Sequence, residues 1–121
     1  MFTITVERQF RASHQIFLAD GSKEPLHEHQ WRVVVEVSSE NLNRMGLVID
    51  FDVLGGMIDE IVGKFEGKIL EQDDYFKQHS SSAENVAVYI YDNLKPKLGS
   101  SVKLEMVKVM ESPGCWAKFS K

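Results

Sequence analysis

The fold is decided by the stretch His27-Glu28-His29-Gln30-Trp31-Arg32-Val33-Val34-Val35-Glu36-Val37. His27, His29, Trp31, Val33, Val35 and Val37 fall on one side of an extended chain, and Glu28, Gln30, Arg32 and Glu36 on the other. A period of two with one polar side predicts a half-buried β-strand. Residues 2–14 alternate in the same way. Phe2, Ile4, Val6, Phe10, Ala12 and His14 share a face, with Arg8 as the exception. Gly21, Ser22 and Pro25 mark the segment between the two strands as a loop longer than a tight hairpin.

Downstream of this pair the period changes. Leu54, Met57, Ile58, Ile61, Val62 and Phe65 recur at helical spacing behind Asp50 or Asp52 as a cap. Gly55, Gly56 and Gly63 each weaken that helix by about 1 kcal/mol relative to alanine, and mark places where a neighbour can approach closely. A second helix carries Val86, Ala87, Ile90, Tyr91 and Leu94 as its apolar stripe, with Ser81 and Glu84 read as a capping box and Pro96 and Gly99 as stops. Strand-like residues return at 102–111 and 115–120, joined by the turn signal Ser112-Pro113-Gly114. The order ββααββ predicts an α+β fold, an antiparallel sheet with two helices on one face. Its other face is left uncovered, so the chain is expected to form a homo-oligomer through the sheet, with edges paired between subunits.

Composition narrows the function. The 121 residues carry 14 basic and 18 acidic side chains, a formal net charge of -4, and no linker or repeat divides them, so residues 1–121 read as one domain. Slight acidity offers no footprint for nucleic acid and no polybasic membrane anchor. One cysteine excludes a disulfide framework and a Cys-rich zinc site. No apolar run is long enough to span a bilayer, and Glu7 and Arg8 interrupt any signal-peptide core. The expectation is a soluble, cytoplasmic protein.

The sharpest chemical signal is His27-Glu28-His29. Positions i and i+2 of a strand point to the same side, so both imidazoles can converge on one ion. His14 ends the preceding strand on its apolar face and is a candidate third ligand across the antiparallel pair. Three neutral imidazoles leave a fourth tetrahedral position open, as in a catalytic zinc site, although histidine suits several metals. Two satisfied histidines at a strand end are the plainer alternative. Glu111, just before the Ser-Pro-Gly turn, could grip a guanidine-like edge through two hydrogen bonds. Glu24 lies in the loop three residues before His27; alone it reads as a surface residue. Cys115 reads as strand packing and His79 as surface.

Taken together, these residues resemble the 6-pyruvoyltetrahydropterin synthase and 6-carboxytetrahydropterin synthase family. Phe10-Arg11-Ala12-Ser13-His14 is similar to its first zinc motif, and Leu26-His27-Glu28-His29 to its Leu-His-Gly-His. Gly46-Leu47-Val48-Ile49-Asp50-Phe51 resembles the segment before its first helix, and Ser82-Ala83-Glu84-Asn85 its Thr-x-Glu-Asn helix start. The resemblance implies a tunnelling fold (T-fold) assembled as trimers or hexamers with active sites between subunits. It also implies a Zn²⁺ ion on His14, His27 and His29, and Glu111 as the anchor of a dihydropterin ring. The implied substrate is 7,8-dihydroneopterin triphosphate, and the implied activity is a lyase giving a pyruvoyl product or, on the route to queuosine, a carboxy product.

The departures fall on the proton-transfer groups. Where the family carries its cysteine base this chain has Lys23, and its Leu-Asp-His aligns with Phe65-Glu66-Gly67, which removes the histidine. The middle glycine of His-Gly-His is Glu28. One branch of the family carries Glu-x-x-His instead of the cysteine, and Glu24-Pro25-Leu26-His27 fits that spacing. In that branch glutamate acts as the base that cleaves the dihydroneopterin side chain to a 6-hydroxymethyl product for folate synthesis. A pterin-binding relative without turnover is the other alternative, and Glu66 a further candidate to stand in for the missing pair.

Overall fold

A computed structural model describes all residues, Met1–Lys121. The two alternating segments form long strands, β1 (Phe2–His14) and β2 (His27–Ser39). They pair antiparallel along their whole lengths, from Phe2 opposite Ser39 to His14 opposite His27. The inward residues Val6, Phe10, Ala12, Trp31, Val33, Val35 and Val37 are buried, whereas Phe2 is exposed at the strand's start. After α1 (Phe51–Val62), β3 (Lys68–Ile69), α2 (Asp74–Gln78) and α3 (Ala83–Leu94), the chain returns as β4 (Lys103–Ser112) and β5 (Cys115–Phe119). The sheet order is β3-β1-β2-β4-β5. The α+β architecture stands as read, enlarged by two elements. β3 runs parallel to β1 at Ala12 and Ser13. Two residues are too few to show a period, and the five of α2 too few to show a stripe.

Caps set the helix ends. Asp50 accepts from the backbone N–H of Asp52 (2.8 Å) and Val53 (3.1 Å), fixing the start of α1. At α3 the cap is Ser82, which accepts from the Asn85 N–H at 3.2 Å, one residue later than the capping box predicts. Ser81 is instead buried and committed elsewhere. Leu54, Ile58, Ile90 and Leu94 join Trp31, Phe10, Val33, Val35 and Val37 in one apolar core between the helices and the sheet.

The glycines of α1 divide. A Cβ on Gly55 would lie 1.8 Å from Arg8 Nη2, so this glycine is where the inward Arg8 passes under the helix to reach Asp59 at 3.3 Å. Gly56 is exposed and faces open space. Gly56→Ala is therefore expected to stabilise the protein by about 0.5–1 kcal/mol, read as a higher urea midpoint at unchanged slope.

The outer face is polar. Glu7 pairs with Arg32 (3.3 Å), Gln30 donates to Gln9 (3.2 Å), and Arg11 lies 3.9 Å from Glu28. Such exposed pairs add little stability. β3 covers only the end of β1, so Phe2–Arg11 has no strand neighbour on that side, and β5 is open at the opposite edge. Two irregularities shape β4. Its register against β2 shifts between Glu36 and Val37, leaving Glu105 as an extra residue between Leu104 and Met106; its register against β5 shifts between Met110 and Ser112. The first lets Leu104 and Val107, three apart, both face the core, and it lets Val109 and Glu111 continue on that face.

Candidate metal centre

Full-length pairing of β1 and β2 brings all three candidate histidines to one end of the sheet. His14 and His27 are direct cross-strand neighbours, and His29 stands opposite Ala12. The small Ala12 leaves room for the His29 ring to lean toward His14, with centroids 5.2 Å apart. Trp31 forms the floor. Its ring meets His14 edge-on at 5.0 Å, its Nε1 donates to the Ala12 carbonyl at 3.1 Å, and Phe10 stacks beneath it.

Backbone carbonyls fix the imidazoles. His14 Nδ1 donates to the Ser81 carbonyl at 2.9 Å, and His27 Nδ1 donates to the Pro25 carbonyl at 2.8 Å. A carbonyl only accepts, so each Nδ1 carries the proton and each Nε2 presents a lone pair. Those two Nε2 atoms face each other 3.0 Å apart. His29 Nε2 is buried with no hydrogen-bond partner. Glu111 brings Oε1 to 3.1 Å from His14 Nε2, 3.2 Å from His29 Nε2 and 4.0 Å from His27 Nε2. All four ligand atoms lie within 4.8 Å of one another. Facing lone pairs, an orphaned nitrogen and a carboxylate repel or waste one another unless a cation lies among them. The donor set therefore fits a divalent metal. Tetrahedral zinc with Zn–N of about 2.0–2.1 Å needs nitrogens about 3.4 Å apart; the His14 and His27 Nε2 atoms stand 3.0 Å apart.

Burial pushes the His29 imidazole below its ordinary value of 6.5; Glu111 opposes this, while His27 and His14 add to it. The metal-free folded chain thus binds fewer protons than the unfolded chain in acid. Its His29 contribution is complete above pH 6.5 and is lost as pH falls through the lowered folded value. The urea midpoint of metal-free protein is expected to fall between about pH 7.5 and about pH 5, and to fall less in His29→Gln.

Glu24 sits beside the cluster. Its carboxylate accepts from the Ile16 N–H at 3.2 Å and lies 3.7 Å from His27 Nε2. Lys23 turns away, its ammonium 5.1 Å above the Phe17 ring. Gly67 has φ +71° and donates its N–H to the Arg11 carbonyl at 2.7 Å, a left-handed turn into β3 that favours glycine. Glu66 accepts from the Arg11 N–H at 2.6 Å and is spent at the edge of β1, outside the histidine cluster. Cys115, read as a packing residue, is exposed because it opens β5 at the turn, and His79 is exposed and stacked on Tyr75. Sequence reasoning missed Ser81 as the partner of His14; with 67 residues between them, no spacing could reveal it.

β2 and β4 begin pairing at Arg32 and Met110, so the histidine end of β2 has no strand neighbour on that side. The gap is a cavity of about 340 Å³ bordered by His29, Glu111, Gln9, Glu28 and Arg32. That lies at the lower end of small-molecule pocket sizes.

A model of the 6-pyruvoyl tetrahydropterin synthase family matches residues 3–121. The chain is 26% identical to the 6-carboxy-5,6,7,8-tetrahydropterin synthase of Rickettsia felis, over 98% of this chain and 99% of that protein. It is 37% identical to the human 6-pyruvoyl tetrahydrobiopterin synthase, covering 85% of this chain and 80% of the human one. The structure of the Caenorhabditis elegans 6-pyruvoyl tetrahydropterin synthase shares its fold, with a TM-score of 0.81 at 23% identity over 100% of this chain and 97% of that one.

Proposed function

This chain belongs to the 6-pyruvoyl tetrahydropterin synthase family, and we propose that it is a zinc-dependent lyase acting on 7,8-dihydroneopterin or its triphosphate. The observation that carries this reading is the convergence of His14, His27, His29 and Glu111 beside a cavity of about 340 Å³. His14, His27 and His29 would hold the ion, with two of the rings already oriented by carbonyls. Bound there, zinc supplies Lewis acidity that makes protons near the substrate's side-chain hydroxyls easier to remove. Glu111 stands between the histidines and the cavity, so a ring lying in the cavity meets a carboxylate able to accept two hydrogen bonds from a guanidine-like edge. Glu24, held by the Ile16 N–H and 3.7 Å from His27, takes the proton as general base in place of the absent cysteine. The open edges of β1 and β5 support assembly as a trimer or hexamer, and light scattering is expected to give a multiple of 13.8 kDa.

A second reading, a pterin binder without turnover, is favoured by Lys23 and Gly67 standing where the family carries its proton-transfer groups. Incubating zinc-loaded protein with dihydroneopterin and with its triphosphate, then identifying products by mass spectrometry, separates the two. A pyruvoyl, carboxy or hydroxymethyl pterin establishes the lyase and its reaction. Retained ligand without product establishes the binder.

A further inference from the structure

Behind His14, on the side away from the other rings, lies a carboxylate that the reading above leaves without a role. Glu71 follows β3 in a short 3₁₀ turn, Leu70–Gln72. β3 pairs with Ala12 and Ser13, the two residues before His14, so this arm delivers Glu71 to the back of that histidine. There the Ser81 hydroxyl donates to Glu71 Oε2. The same serine supplies the carbonyl that accepts from His14 Nδ1 at 2.9 Å, and its hydroxyl oxygen lies 3.5 Å from that nitrogen. His14 and Ser81 are both almost fully buried, and Glu71 Oε1 is buried without a partner. Burying a carboxylate oxygen without a partner is costly, so its placement here calls for a reason. What the carboxylate secures is the serine. Ser81 sits in the turn before α3, just ahead of the cap at Ser82, where no helical bond fixes its carbonyl.

From this chain of contacts we infer that Glu71, acting through Ser81, is a positioning residue for the metal centre: it holds the Ser81 carbonyl against His14 Nδ1 and so fixes the ring's tautomer and aim. Outer partners of ligating histidines govern metal affinity in this way, and their loss costs about 10–100-fold. The inference rests on the cluster being a metal site, and its test has an arm that does not.

The experiment uses the full chain and two readouts: zinc affinity by chelator competition, and the His14 tautomer in metal-free protein by long-range ¹H–¹⁵N correlation. Glu71→Ala and Ser81→Ala are expected to weaken zinc by about tenfold and to replace the Nδ1–H form of His14 with a mixture. Glu71→Gln keeps an acceptor and Ser81→Thr keeps the hydroxyl, so both are expected to stay within about threefold of the parent. Should Glu71→Ala fail to fold, Ser81→Ala against Ser81→Thr decides the matter. An unchanged tautomer together with unchanged zinc affinity in the alanine variants would overturn the role of Glu71. A parent that binds no zinc but shows the tautomer shift would overturn the metal reading and leave the Glu71–Ser81–His14 linkage standing.

Discussion

Replacing His29 with alanine is expected to lower zinc affinity by more than about 100-fold, beyond what the loss of an outer-shell partner costs. Two of the three imidazoles would remain, so the ion would lose a direct bond and the geometry that aims its open position. The fold is expected to survive. His29 lies at the end of β2, opposite Ala12 and partly exposed, and the core below it is closed by Trp31 and Phe10. His79→Ala is the matched control, because that ring stacks on Tyr75 at the surface. Chelator competition on both variants reads the result. Equal affinity in His29→Ala and the parent would place the ion elsewhere or nowhere.

Glu24→Gln carries the second large effect. A positioned general base contributes about 10²–10⁴-fold to rate, so kcat on dihydroneopterin or its triphosphate is expected to fall by that amount. Zinc affinity and pterin binding are expected to hold. Glutamine has the same shape, and its carbonyl oxygen can still accept from the Ile16 N–H, which keeps the loop against the end of β1. What it cannot do is take up a proton at neutral pH. Stopped turnover with retained pterin binding, followed by fluorescence, fits the role. An undiminished kcat assigns the proton to another group and removes Glu24 from the chemistry.

Much of this architecture was legible because its signals are periodic. The alternation of β1 and β2 sorts core from solvent residue by residue, and the same alternation lines up His14, His27 and His29 once the strands pair end to end. Helix spacing located α1 and α3, and Pro113-Gly114 marked the final turn. The illegible parts are short or distant. β3 and α2 are too brief to carry a period, so the arm bearing Glu71 had no signature. In sequence Ser81 reads as the helix cap because Ser81 and Ser82 are chemically identical, and only the tertiary contact with His14 tells them apart. Glu111 could be read as a carboxylate at a strand end, but its approach to the histidines depends on two strands not joined in sequence. Glu66 reads as available for chemistry in sequence, whereas in the fold it accepts from the Arg11 N–H at the edge of β1.

The extra residue in β4 reaches further than its own position. Side chains change sides at every step along a strand, so the insertion at Glu105 settles the orientation of everything after it. Taken into the ladder as an ordinary residue opposite Glu36, Glu105 would turn that downstream run over, sending Met110 toward the histidine cluster and Glu111 toward the polar surface. A thioether would then stand among three imidazoles where a carboxylate had been. Six positions upstream, the bulge at Glu105 thus determines whether the cluster has three donors or four.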